Sequence, residues 1–125
     1  MKVYDAMAAA FVKEGTSVLF GLLGDGQLNW WSSLAKYPQV RIIDARDEGA
    51  ALTMAEGWAM ATKKVGVCSC TQGPGLARMY TSLITATRSR TPVVVFTSKT
   101  GKSDVQYLDQ GRTVESTDAG YIEVL

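Results

Sequence analysis

The stretch Val65-Gly66-Val67-Cys68-Ser69-Cys70-Thr71-Gln72-Gly73-Pro74-Gly75-Leu76 decides the fold. Val65 to Cys70 reads as a strand, and Gly73-Pro74-Gly75 then breaks the chain. Leu76, Met79, Tyr80, Leu83, Ile84 and Thr87 follow at helical spacing, which predicts a helix. Pro92 opens a β-branched run, Val93 to Thr97, that predicts the next strand. Strand, tight turn, helix and strand in that order make a βαβ unit.

The same alternation extends toward the N-terminus. A helix from about Arg46 to Thr62 carries Ala51, Met54, Ala55, Trp58, Ala59 and Thr62 on one face. Val40 to Ala45 precedes it as a strand. Leu28, Trp31, Leu34 and Ala35 mark a helix that stops before Pro38, and Ser17 to Leu22 is the strand before that. Val3, Ala6, Met7, Ala10 and Phe11 form the first helical face, with Gly15 where a C-terminal cap needs it. Four helix–strand pairs joined by short connections predict an α/β fold of three layers, α-β-α, around a mostly parallel sheet. After Thr97 the pattern weakens into a polar loop, Ser98 to Asp104, a short helical turn at Gln106 to Gln110, and a further strand at Tyr121 to Leu125.

A chain of 125 residues fits one domain, 1–125. Lys and Arg number 13 against 12 Asp and Glu, so no basic surface points to nucleic acid or an anionic membrane. The apolar run Ala6 to Val12 is too short to span a bilayer and is wrongly flanked for a signal peptide, which predicts a cytoplasmic protein. There is no His. That excludes a Ser-His-Asp or Cys-His relay within the chain and leaves only Cys and carboxylates for zinc. Cys68 and Cys70, one residue apart on a strand, share a face and read as small buried hydrophobes of a reducing compartment. No metal site is predicted.

Three segments lie where strands hand over to helices, the end of a parallel sheet at which ligands bind. Phe20-Gly21-Leu22-Leu23-Gly24-Asp25-Gly26 has neither dinucleotide nor P-loop spacing, and its plain reading is a tight turn. Glu48 begins the stripe Ala51, Leu52, Ala55 and Ala59, so its carboxylate starts a face that packs toward the sheet. It is either a favourable partner for the helix dipole or a proton donor tuned by burial. Thr71-Gln72-Gly73-Pro74-Gly75 presents backbone N–H groups and permits close approach, which suits an anion or a flat uncharged ring. Trp30 and Trp31 read as packing residues.

Together and in order, Phe20-Gly21-x-x-Gly24, Arg46-x-Glu48-Gly49-Ala50-Ala51, Met54-Ala55-x-Gly57, Gly66-Val67-Cys68 and Thr71-x-Gly73-Pro74-Gly75 resemble the N-terminal pyrimidine-binding domain of thiamine-diphosphate enzymes, of the acetolactate synthase and benzaldehyde lyase type. The resemblance implies that Glu48 hydrogen-bonds N1′ of the cofactor's aminopyrimidine and favours the tautomer that activates the thiazolium carbon. A 2-keto acid is then decarboxylated and its carbanion passed to an acceptor, chemistry the cofactor carries. It further implies that Leu23, Gly24, Thr71, Gly73, Pro74 and Gly75 line the cofactor and that Gln110 faces the substrate.

By the same resemblance, Mg²⁺ is bound only through a diphosphate-binding domain of a partner subunit, FAD is an optional companion, and the full-length enzyme is a homodimer or homotetramer. The family's domain extends further, so the resemblance implies a chain truncated at its C-terminal end and inactive without its partner. The alternative is a non-catalytic remnant or a regulatory or assembly subunit. Where the family usually has His before the glutamate and Asn after Gly-Pro-Gly, this chain has Asp47 and Arg78. Gly24-Asp25-Gly26 imitates the family's diphosphate motif but lacks its later Asn.

Overall fold

The structure, a computed structural model, describes residues 1–101, 103 and 109–123. Four strands form one parallel sheet: β1 (Val18–Gly21), β2 (Arg41–Asp44), β3 (Gly66–Cys70) and β4 (Val93–Thr97), in the order β2-β1-β3-β4. The helices are α1 (Val3–Lys13), α2 (Leu28–Leu34), α3 (Glu48–Thr62), α4 (Pro74–Arg78), α5 (Tyr80–Arg88) and α6 (Gln110–Glu115). A 3-10 turn, Asp25–Gln27, leads into α2.

Strand alternation sends side chains into two cores. Leu19 and Val67 meet Ala8, Trp30, Trp31 and Leu34 under α1 and α2. Val18, Phe20, Cys68 and Cys70 meet Ala51, Leu52, Ala55, Leu76 and Leu83 under α3, α4 and α5. The three-layer α/β arrangement read from the sequence is therefore the one observed. Small residues bring α3 close to β3: a methyl group on Gly66 would overlap the Ala55 carbonyl. Trp30 stacks on Phe96 with ring centroids 4.1 Å apart, and Trp31 Nε1 donates to Ser69 Oγ at 3.1 Å, so both are core residues.

The first helix ends as predicted, with Gly15 at φ +88° and the Gly15 and Thr16 N–H groups donating to Val12 and Phe11 carbonyls. Its buried seam is centred on Ala8, however, and Val3 is exposed. The third helix starts at Glu48 rather than Arg46, because Asp47 is extended and caps it. The single helix predicted after Gly75 is two, since at Met79 the N–H donates to Leu76 rather than to Gly75 and Met79 fills the core. Residues 121–123 form no strand; the Tyr121 ring lies beside Gly111 of α6 and packs against the core that Val93 and Val95 also join. Residues 106–108, 124 and 125 of the predicted turn and strand lie outside the described residues, and Gln110 opens α6 instead of closing a helix. No described helix is long and apolar enough to cross a membrane.

Candidate functional site

Strand order reverses its direction of growth between β1 and β3, with β2 added on one side and β4 on the other. At such a switch point the two strands lead to helices on opposite faces of the sheet, and the carboxyl ends of the strands border its natural crevice. Leu22 to Gly24 leave β1 there, and Thr71 to Gly73 leave β3. The two loops touch, because a Cβ on Gly24 would strike the Thr71 side chain. Leu23 is 47% exposed at the rim.

Glu48 enters from β2 as the first residue of α3. The stripe it begins is buried at Ala51, Leu52, Ala55 and Ala59, while Glu48 itself is half-buried, because the helix starts at the sheet's edge. Its Oε1 lies 3.4 Å from where a Cβ on Gly75 would stand, and Thr71 Cγ2 lies 2.9 Å from that point. Glycine at 75 therefore lets the turn approach both the carboxylate and the end of β3. Among the described residues the Glu48 carboxylate meets no hydrogen-bond donor and no ion-pair partner. Burial pushes the neighbouring Cys70 thiol up to about 12; a bond from Thr97 opposes this, and the Glu48 charge adds to it.

The Gly73-Pro74-Gly75 turn is braced from behind. Gly73 has φ +64° with open space at its Cβ position, so glycine is required there by conformation rather than by crowding. Its N–H donates to Gln110 Oε1 at 2.9 Å, and Gln110 Nε2 donates to the Ser98 carbonyl at 3.0 Å. Gln110 is 1% exposed, with both ends of its amide engaged. Gln72 Oε1 accepts from the Thr71 and Ser98 hydroxyls, and Gly26 packs against Gln72 and Ser98. The Gly73 N–H is taken by Gln110 and α4 is only five residues long, so the turn has one backbone donor fewer for an anion than the sequence alone suggests.

Sequence reasoning missed the pairing of Asp47 with Arg78, the two positions that depart from the family's usual residues. Asp47 Oδ2 accepts from Arg78 Nε at 3.1 Å and from Nη2, and Asp47 Oδ1 accepts the Ala50 N–H at 3.2 Å. Arg78 first, and then the Ala50 N–H, hold the Asp47 carboxyl below the usual carboxylate range. A distance of 31 positions in sequence hides this contact from any local pattern. A groove of about 980 Å³ runs along β4, lined by residues such as Phe11, Val94, Val114 and Tyr121; Glu48 lies outside it.

Comparison with known proteins gives the family and the fold. The chain is 34% identical over 99 residues to a probable acetolactate synthase large subunit of Methanocaldococcus jannaschii, covering 79% of this chain and 17% of that protein. It is 33% identical over 115 residues to the glyoxylate carboligase of Escherichia coli O157:H7, covering 87% of this chain and 19% of that one. The chain thus spans less than a fifth of the length of these relatives. A thiamine diphosphate-dependent 4-hydroxybenzoylformate decarboxylase from Rhodococcus jostii RHA1 shares the fold with a TM-score of 0.82 over 92% of this chain and 23% of that one, at 21% identity. The family model described as the thiamine pyrophosphate enzyme N-terminal TPP binding domain matches residues 1–120, and the chain belongs to that family.

Proposed function

We propose that this chain forms the pyrimidine side of a thiamine-diphosphate site in an acetolactate synthase-like carboligase or decarboxylase of 2-keto acids. One observation carries the reading: the Glu48 carboxylate, without a donor among the described residues, faces the Gly75 backbone at the sheet's carboxyl end. The fit to an aminopyrimidine rests on that carboxylate, which can share a proton with a ring nitrogen, and on a glycine turn that admits a flat ring. When bound, thiamine diphosphate supplies the carbanion chemistry.

Glu48 holds the exchangeable proton in this reading. Leu23 and Gly24 form the apolar rim, Thr71, Gly73, Pro74 and Gly75 form the wall, and Gln110 keeps the wall in place and closes the substrate side. The diphosphate and Mg²⁺ belong to a partner domain, and residues 1–125 act as one pyrimidine-binding unit beside it. The relatives named above support the reaction class.

The test combines the chain with a diphosphate-binding partner domain, thiamine diphosphate, Mg²⁺ and pyruvate, and follows carbon dioxide release. Glu48→Gln should lower the rate by ~10²-fold or more, the scale of a lost general acid–base group. An unchanged rate would remove Glu48 from the mechanism.

A further inference from the structure

Two carboxylates stand side by side at the start of α3, and the fold treats them differently. Glu48 meets no donor among the described residues, whereas Asp47 is engaged through both oxygens, by the Ala50 N–H and by two nitrogens of Arg78. Arg78 ends α4, the helix that begins on the Gly73-Pro74-Gly75 turn. The ion pair therefore joins the first turn of α3 directly to that short helix.

Gly49, on the other side of Glu48, makes a second tie. Its carbonyl accepts from Ser82 Oγ of α5 at 3.1 Å, and a Cβ there would lie 3.3 Å from the Arg78 carbonyl oxygen. Glu48 is thus bracketed by two residues fixed to α4 and α5, and its own carboxylate ends against Gly75. A five-residue helix has too few internal hydrogen bonds to hold its own place, so its ties decide where its first turn sits: Gln110 braces it from behind, Leu76 anchors it in the core, and Arg78 joins it to the start of α3.

We infer that Asp47 and Arg78 are a positioning pair, whose two-point ion pair sets the Gly73-Pro74-Gly75 turn against the Glu48 carboxylate. The inference deepens the function proposed above and rests on it for its meaning. The side chains are 36% and 68% exposed, so the pair adds little to global stability; its effect is local placement. The planar fork of Arg matters here, because a Lys at 78 offers a point charge that fixes distance without fixing orientation. Cap and ion pair are also separable at Asp47, since Asn caps a helix about as well as Asp but carries no charge.

The experiment uses the isotopically labelled 125-residue chain and the nuclear Overhauser cross-peak between the Glu48 Hγ and Gly75 Hα protons. Asp47→Asn and Arg78→Gln should each abolish the cross-peak, with the double variant no worse than either alone and the melting temperature lowered by only a few degrees. Arg112→Gln, which removes the exposed ion pair to Asp109, should leave the cross-peak intact. A cross-peak that survives both single changes, or that disappears only as the whole spectrum loses dispersion, overturns the inference. Its loss alongside an unchanged turnover in Glu48→Gln would keep the positioning pair and discard the catalytic reading. A surviving cross-peak with a Glu48-dependent rate would do the reverse.

Discussion

Asp47 combines a helix cap with an ion pair in one carboxylate, and the combination makes its contribution depend on pH. Arg78 and the Ala50 N–H favour its charged form in the folded chain. Its folded pKa is therefore depressed, and its stabilisation is complete above the unfolded value of about 4 and lost as pH falls through the folded value. The stability difference between wild type and Asp47→Asn should be constant above about pH 5 and shrink steadily below about pH 4. Chemical denaturation at a series of pH values measures it, and a difference that grew on acidification would contradict the assignment. At this scale Glu48 was legible in the sequence, because a charge at the head of an alanine stripe stands out. The bond of its neighbour Asp47 to Arg78 was not, since 31 positions separate the two in sequence.

Contact between α3 and β3 depends on smallness on both sides. Ala51 and Ala55 face Cys68 and Cys70, and Gly66 lies directly under the Ala55 carbonyl. Gly66→Ala places a methyl group against backbone, which cannot swing aside, so it should destabilise the chain by about 1–3 kcal/mol, the usual cost of overpacking. Thermal or denaturant unfolding reads the change, and a neutral result would mean that α3 sits further from the sheet. Four strands and the helices between them were legible because apolar period and Gly/Pro punctuation agree at each of them. The break at Met79 was not, because its apolar stripe continues unbroken while the backbone shifts to a tighter turn. Nor was the path of residues 121–123, where the Tyr121 ring packs beside Gly111, a contact between positions that no local pattern links.

At the scale of the whole fold, the two edges of the sheet among the described residues are not alike. Outer strand β2 carries Arg41 and Asp44, whereas β4, Val93-Val94-Val95-Phe96-Thr97, carries no charge and leaves Val94 42% exposed beside the long groove. An uncharged outer strand is a template for pairing with another chain. Val94→Lys should therefore reduce concentration-dependent association of the 125-residue chain, as measured by light scattering or sedimentation, with little effect on its folding. Association that is indifferent to this change would place the contact on another surface.

The sulfur chemistry of the chain has a practical side. Both of its thiols point into the α3 layer with no exposed surface, and burial raises the pKa of each. A cysteine introduced on the outer surface would be the single reactive sulfhydryl of the folded chain, so a dye or spin label could be attached at one chosen point with both native thiols left in place. Labelling of Cys68 or Cys70 would then report only those moments when α3 lifts from the sheet, carrying Glu48 with it.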